Sequence, residues 1–220
     1  MGKWGSELFI SRKISESAVH RLSLYLRILE DLEREDRVTV SSEEISGRSA
    51  TTAAQVRKDL SLFGSFGKRG LGYDVAELAV RLRKILGLDR RWRVALVGAG
   101  RIGSALVEYG GFAERSYDVV AIFDSDASKV GEKWGGQRVR DINDFVPVAK
   151  DHGVEIVILA IPVEAVPSVM EHVEAAGVRG ILNFVPTKLK VPEGVAVKDV
   201  NMVMELEALS FALSQEDGEG

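Results

Sequence analysis

Over the first ninety residues the apolar positions fall into helical steps, interrupted by a β-branched run and a glycine-rich stretch. Val19, Leu22, Leu26, Leu29 and Leu32 recur every three or four residues, which predicts an amphipathic helix over "ESAVHRLSLYLRILEDLER". A short strand, "RVTVS", follows. Two helix starts come next. Ser41 with Glu44 and Thr52 with Gln55 have capping-box spacing, in which each side chain satisfies the other residue's free backbone N–H. Between them "SGRSA" reads as a turn at Gly47. On the second of these helices Val56, Leu60 and Phe63 make an inward face and leave Gln55, Arg57, Lys58, Asp59 and Ser61 pointing elsewhere. Gly64, Gly67, Gly70 and Gly72 then lace a segment tipped by Lys68 and Arg69, a spacing that suits a tight hairpin. Asp74 and Glu77 open a further amphipathic helix through Val75, Leu78, Leu82 and Ile85, which stops at Gly87.

Beyond residue 90 the pattern changes to short apolar runs alternating with helical segments. "RVALVG", "DVVAIFD", "EIVILA" (155–160), "GILNFV" (180–185) and "VAVKDV" (195–200) read as buried strands, with helices over Ser104–Tyr109 and Val163–Ala176. Such alternation implies a doubly wound parallel sheet of the α/β Rossmann class. A last helix (Leu206, Leu209, Phe211, Leu213) reads as amphipathic and has no place in the sheet, so it is free to dock on another domain or subunit. The expected organisation is a flexible segment at 1–14, a winged helix-turn-helix domain at 15–87, a Rossmann domain at 88–200, a C-terminal helix at 201–214 and an acidic tail at 215–220.

Composition narrows the class. The 220 residues carry a net charge of −4, but residues 1–91 balance at +4 and residues 92–220 at −8. Residues 47–73 hold five basic residues against one acid, Asp59. A basic patch on an acidic chain is what contact with a polyphosphate needs, and is equally what a solvated helix face looks like. Cysteine is absent, which excludes disulfides and thiolate metal sites, and no metal is expected. No apolar run is long enough to span a membrane and "MGKWGSELFISRK" is not a signal peptide, so the expected location is cytoplasmic.

The order helix, strand, helix, turn, helix, hairpin, helix places "AAQVRKDLS" as the helix that enters a DNA major groove, where arginine bonds guanine edges bidentately. Ser49, Thr51, Gln55, Arg57 and Lys58 are its candidate DNA contacts, with Lys68 and Arg69 on the wing. The competing reading is a helical dimerisation domain. In the second half, Gly98, Ala99, Gly100, Arg101, Ile102 and Gly103 form a GxGxxG turn between a strand and a helix, and Asp124 closes the next strand 21 residues beyond Gly103. Glycines there permit the turn and the approach of a pyrophosphate, and the acid bonds the adenosine ribose hydroxyls. Asp124 would repel a 2′-phosphate and "SDAS" offers no arginine to receive one, which favours NAD(H) over NADP(H). The strand-end residues Ile161, Pro162, Asn183, Phe184 and Pro186 should border the nicotinamide.

No residue earns a catalytic role. His20, His152 and His172 lie on or near helices rather than in strand-end loops, and Thr187 and Lys188 have no pairing group nearby. A cofactor bound without turnover, beside a DNA module, describes a sensor. A small NAD-dependent oxidoreductase with an N-terminal dimerisation domain is the alternative, and a CoA- or nucleotide-binding module is a third reading.

The strings "VSSEEI", "AAQVRKDLSLFGSFGKRGLGYDV", "VGAGRIG", "GILNFVP" and "LEALSFAL", in this order and spacing, closely resemble the Rex family of redox-sensing transcriptional repressors over residues 14–214. The resemblance implies a homodimer that exchanges its C-terminal helix between subunits. It also implies binding to palindromic double-stranded operator DNA and release by NADH but not by NAD+. It assigns Arg57 and Lys58 to the DNA-reading helix, Lys68 and Arg69 to the wing, residues 98–103 to the dinucleotide loop and Asp124 to the ribose. The family's redox network of Arg, Tyr and Asp maps onto Arg21, Tyr109 and Asn201. Asn201, in "DVNMVMEL", departs from the usual Asp; it lacks the carboxylate charge, which predicts a weaker lock or one taken over by Asp199 or Glu205.

Overall fold

The computed structural model describes residues 14–64, 67 and 71–216, and the chain divides between Arg90 and Arg91 into two compact units. The first unit runs α1 (Glu16–Arg34), β1 (Thr39–Val40), α2 (Ser42–Gly47), α3 (Ala53–Ser61), β2 (Tyr73–Asp74) and α4 (Val75–Ile85). Each helix starts where a short polar side chain caps it. Ser41 Oγ accepts from Glu44 N at 3.0 Å, Thr52 Oγ1 from Gln55 N at 3.1 Å and Asp74 Oδ1 from Glu77 N at 2.8 Å.

The boxes are half-formed, a correction to the reciprocal caps expected. The Gln55 amide turns to Asp59 and the Glu44 carboxylate to Arg37, because both find charged partners that a backbone N–H cannot match. The buried stripe of α1 also differs slightly: Val19 is exposed, while Ala18, Leu22, Tyr25, Leu26, Leu29 and Leu32 are buried. Leu22, Tyr25, Leu26, Leu29 and Leu32 close a core with Val56 and Leu60 of α3 and Leu78 and Leu82 of α4. β1 pairs antiparallel with β2, Val40 opposite Tyr73, and so ties the approach to α2 to the end of the glycine-rich segment. The wing candidates Lys68 and Arg69, residues 1–13 and residues 217–220 lie outside the described residues.

The second unit contains β3 (Trp92–Val97), α5 (Arg101–Glu108), α6 (Gly111–Glu114), β4 (Tyr117–Asp124), β5 (Lys133–Trp134), β6 (Gln137–Asp141), α7 (Phe145–Asp151), β7 (Ile156–Leu159), α8 (Val166–Ala176), β8 (Gly180–Asn183), β9 (Ala196–Asp199) and α9 (Met202–Glu216). Among the described residues they form a seven-stranded sheet in the order β5-β6-β4-β3-β7-β8-β9, parallel apart from β5 against β6. One face is covered by α7 and α8, with Phe123 edge-on to Phe145 at 4.9 Å. On the other, residues of α5 and α6 pack with Leu96 and Ile122, while strands β7 to β9 border an apolar groove of about 420 Å³. The last helix is not amphipathic as expected, because its apolar positions, three of them consecutive at Met202, Val203 and Met204, spread around α9; these and Leu206, Leu209, Phe211 and Leu213 are each more than half exposed.

Candidate functional site

The chain leaves β3 for β4 on one side of the sheet and returns to β7 on the other, so the carboxyl end of β3 is a topological switch point, where α/β sheets bind ligands. A cleft of about 650 Å³ opens there, lined by Gly98, Gly100, Arg101, Ile102, Asp124, Ile161 and Pro162 among others. The three glycines have separable roles. Gly98 takes φ +106°, and a Cβ on it would meet the Ala160 carbonyl oxygen at 2.3 Å; a Cβ on Gly103 would meet the Gly98 oxygen at 2.0 Å. Both are fixed by the protein's own packing. A Cβ on Gly100 would meet nothing within 4 Å, so no packing within the fold demands its bareness. Gly100 also precedes the first turn of α5, whose free N–H groups and positive dipole end suit phosphate.

Asp124 is 8% exposed and its carboxylate is already organised. Oδ2 accepts from Ala99 N at 2.7 Å and from Lys129 Nζ at 3.2 Å, and Oδ1 accepts from Asp126 N at 2.8 Å. Ala99 is therefore buried behind the loop as a backbone donor. Asn183, Phe184 and Pro186 do not line this cleft. The buried Asn183 amide staples the loop after β8: Nδ2 donates to Val185 O, Thr187 O and Asp199 Oδ1, and Oδ1 accepts from Val185 N. Phe184 packs on the α5 side of the sheet. Lys129 and Asp126, which the cleft includes, were missed in the sequence; the Asp-x-Asp-x-x-Lys spacing after β4 was the available signal.

In the first unit α3 presents Arg57 and Lys58 as exposed cations. Arg57 donates to Ser42 Oγ at 2.7 Å and Glu43 Oε1 at 3.0 Å. Ser49 Oγ donates to the Ile45 carbonyl at 2.8 Å; Thr51, just ahead of α3, and Gln55, in its first turn, are half-buried.

Asp59 corrects the expectation that it faces away from the core: it is 2% exposed. Its Oδ2 accepts from Arg21 Nε at 2.6 Å and Tyr25 OH at 3.0 Å. Oδ1 accepts from Arg21 Nη2 at 2.8 Å and Gln55 Nε2 at 2.8 Å. Burial alone would raise its pKa, but the hydrogen bonds from Arg21, Gln55 and Tyr25 outweigh it and hold the carboxyl below its usual value. Burial, then the bond to Asp59, pushes the Tyr25 hydroxyl up to about 12.

Arg21, the first member of the expected redox network, is thus bound to α3. Tyr109 ends α5, is exposed and stands edge-on to Phe112 at 5.4 Å. Asn201 Oδ1 accepts from Val203 N at 3.0 Å and Met204 N at 3.3 Å, capping α9. His20 is exposed and His152 and His172 are half-buried. Among the described residues no group of His, Cys, Asp and Glu could hold a metal, and no helix is long and apolar enough to cross a membrane.

Comparison with known proteins matches two family models. One, described as "Putative DNA-binding protein N-terminus", covers residues 13–61; the other, "CoA binding domain", covers residues 89–187. The redox-sensing transcriptional repressor Rex of Carboxydothermus hydrogenoformans is 45% identical over 204 residues, spanning 93% of this chain and 98% of that one. The Thermus thermophilus Rex is 46% identical over 201 residues, 91% and 94% of the two chains. The crystal structure of RSP, a Rex-family repressor, in complex with β-NAD+ and operator DNA, is similar with a TM-score of 0.88 at 34% identity, over 94% of this chain and 95% of that one. RSP in complex with β-NADH gives 0.84 at 33% identity, over 94% and 97% of the two chains.

Proposed function

Because the chain belongs to the Rex family of redox-sensing transcriptional repressors, we propose that it is an NADH-responsive repressor that binds palindromic operator DNA as a homodimer and acts in the cytoplasm. The observation that carries this reading is one chain bearing two kinds of site. One is a helix with exposed Arg57 and Lys58 in the first unit; the other is a glycine-loop cleft closed by Asp124 in the second. NADH that favours a conformation with misplaced α3 helices lowers DNA affinity by the factor by which DNA lowers NADH affinity. The dinucleotide is read as a regulatory ligand left unchanged, since neither the cleft nor its rim brings a histidine to a strand-end loop. Lys68 and Arg69 are assigned to phosphate contact by the wing.

Dimerisation is supported by α9 and the apolar groove. Seven large apolar side chains on α9 and the uncovered strands β7 to β9 both need covering, and a second copy supplies the cover with the two-fold symmetry a palindrome requires. Coupling between the sites is assigned to Arg21, Tyr109 and Asn201. Arg21 grips Asp59 on α3 through two bonds, so a pull on that guanidinium acts directly on the DNA-reading helix.

Fluorescence anisotropy of a labelled palindromic duplex tests the reading. We expect NADH to release the duplex at concentrations where NAD+ and CoA do not. Duplex affinity unaffected by NADH would end the sensor reading, steady oxidation of NADH with small carbonyl substrates would restore the oxidoreductase, and response to CoA alone would favour the CoA-binding reading.

A further inference from the structure

Asp124 alone does not account for how this cleft treats the adenosine ribose, because a cation shares its carboxylate. Lys129 Nζ lies 3.2 Å from Asp124 Oδ2 and 3.7 Å from Asp126 Oδ2, and the lysine, one-third exposed, lines the cleft. Asp126 is anchored in turn: its Oδ1 accepts from Ser128 N at 2.9 Å and Ser128 Oγ at 2.6 Å, which with the nearby Lys129 charge holds its carboxyl below the usual value. The ammonium is thereby pinned at the edge of the cleft between two acids. A ribose hydroxyl bonded to Asp124 would lie within two hydrogen-bond lengths, roughly 6 Å, of Nζ. Arg101 also lines the cleft, but at the helix end, where the pyrophosphate belongs.

Resting on the dinucleotide reading above, we propose that Lys129 is a latent ligand for a 2′-phosphate, held out of use by Asp124 and Asp126. Selectivity for NADH over NADPH is then set by an acid–lysine pair and not by one acid. While Asp124 is present, a 2′-phosphate meets a carboxylate whose compensating cation is already taken. Without Asp124, the same ammonium faces the phosphate directly, as a lysine does in a phosphate site.

The test measures NADH and NADPH affinities by nicotinamide fluorescence for the full-length wild type, Asp124→Ser, Lys129→Ala and the double variant. Asp124→Ser should bind NADPH about tenfold or more tighter than wild type does, and the gain should vanish in the double variant. A double variant that keeps the gain, or an Asp124→Ser protein that binds NADH yet gains no NADPH affinity, overturns the proposal. Should Asp124→Ser not fold, Asp124→Asn takes its place in the same comparison: an NADPH affinity that does not rise, or a rise that persists when Lys129→Ala is added, overturns the proposal. Wild-type protein that binds neither dinucleotide would instead refute the dinucleotide reading itself.

Discussion

Replacing Asp59 by Ala removes a carboxylate on which four donors converge, at 2.6, 2.8, 2.8 and 3.0 Å. Arg21 is 28% exposed at its side chain and can turn to water, so most of its pairing energy is recovered by solvation. Gln55 is half-buried and can follow it. Tyr25 is 0% exposed, and its hydroxyl is left without its carboxylate acceptor in the core at a cost of about 1–3 kcal/mol. Adding a small residual for the charged bonds, the loss should come to ~2–4 kcal/mol. That moves the midpoint of a domain of this size by roughly 4–8 °C per kcal/mol.

Calorimetry of the full chain with and without NADH identifies the transition, because ligand raises the melting of the unit that binds it and leaves the other as the readout. The pH dependence supplies a second arm. The folded state lowers the Asp59 pKa, so the carboxylate's contribution is complete above about pH 4 and fades as pH falls through its folded value. Wild type should lose its acid-side advantage over the variant there. Tyr25 has the opposite sign: raised to about 12, it stabilises fully below about pH 10 and less as pH rises toward 12. A loss under 1 kcal/mol, or an Asp59→Ala penalty that is the same at pH 3 and pH 7, would refute the reasoning.

Three further outcomes are expected. Arg57→Ala should cost about 1–3 kcal/mol on the cognate duplex and little on scrambled DNA, measured by anisotropy; equal losses on both would make Arg57 a phosphate contact. Gly98→Ala should fail to fold or melt far lower, with its Cβ 2.3 Å from the Ala160 oxygen, whereas Gly100→Ala should keep its melting temperature and lose about tenfold or more in NADH affinity by titration fluorescence. Phe211→Glu with Leu209→Glu on α9 should convert the proposed dimer to monomer in sedimentation velocity; an unchanged assembly would place the interface elsewhere.

The features legible in the sequence are those that short stretches determine. The strands β3, β4, β7 and β8 are apolar runs, the glycine loop follows β3 directly, and Ser41, Thr52 and Asp74 cap helices through bonds three residues long. Those that depend on distant partners were not legible. Asp59 is buried because Arg21 and Tyr25, 38 and 34 residues away, stand one turn apart on α1 and meet it with matched donors. Asn183 serves its own loop because Asp199 comes alongside in β9. Val19 and the apolar residues of α9 show that spacing marks a helix but not which of its faces is covered, since the cover lies elsewhere in the chain or in another copy.

The carboxylate beside Arg57, the arginine proposed to read DNA, has a kinetic consequence. Arg57 already holds Glu43 and Ser42 within its own protein. On the proposed reading, exchanging Glu43 for one backbone phosphate swaps one anion for another and leaves the displaced carboxylate facing a row of negative charge. Guanine offers two coplanar acceptors and no charge, so Arg57 can reach it with its other nitrogens while Glu43 stays in place. Random sequence is therefore held weakly and left quickly. A regulator that dwells briefly at wrong sites spends more of its time searching, and a change in NADH is read out at the operator sooner.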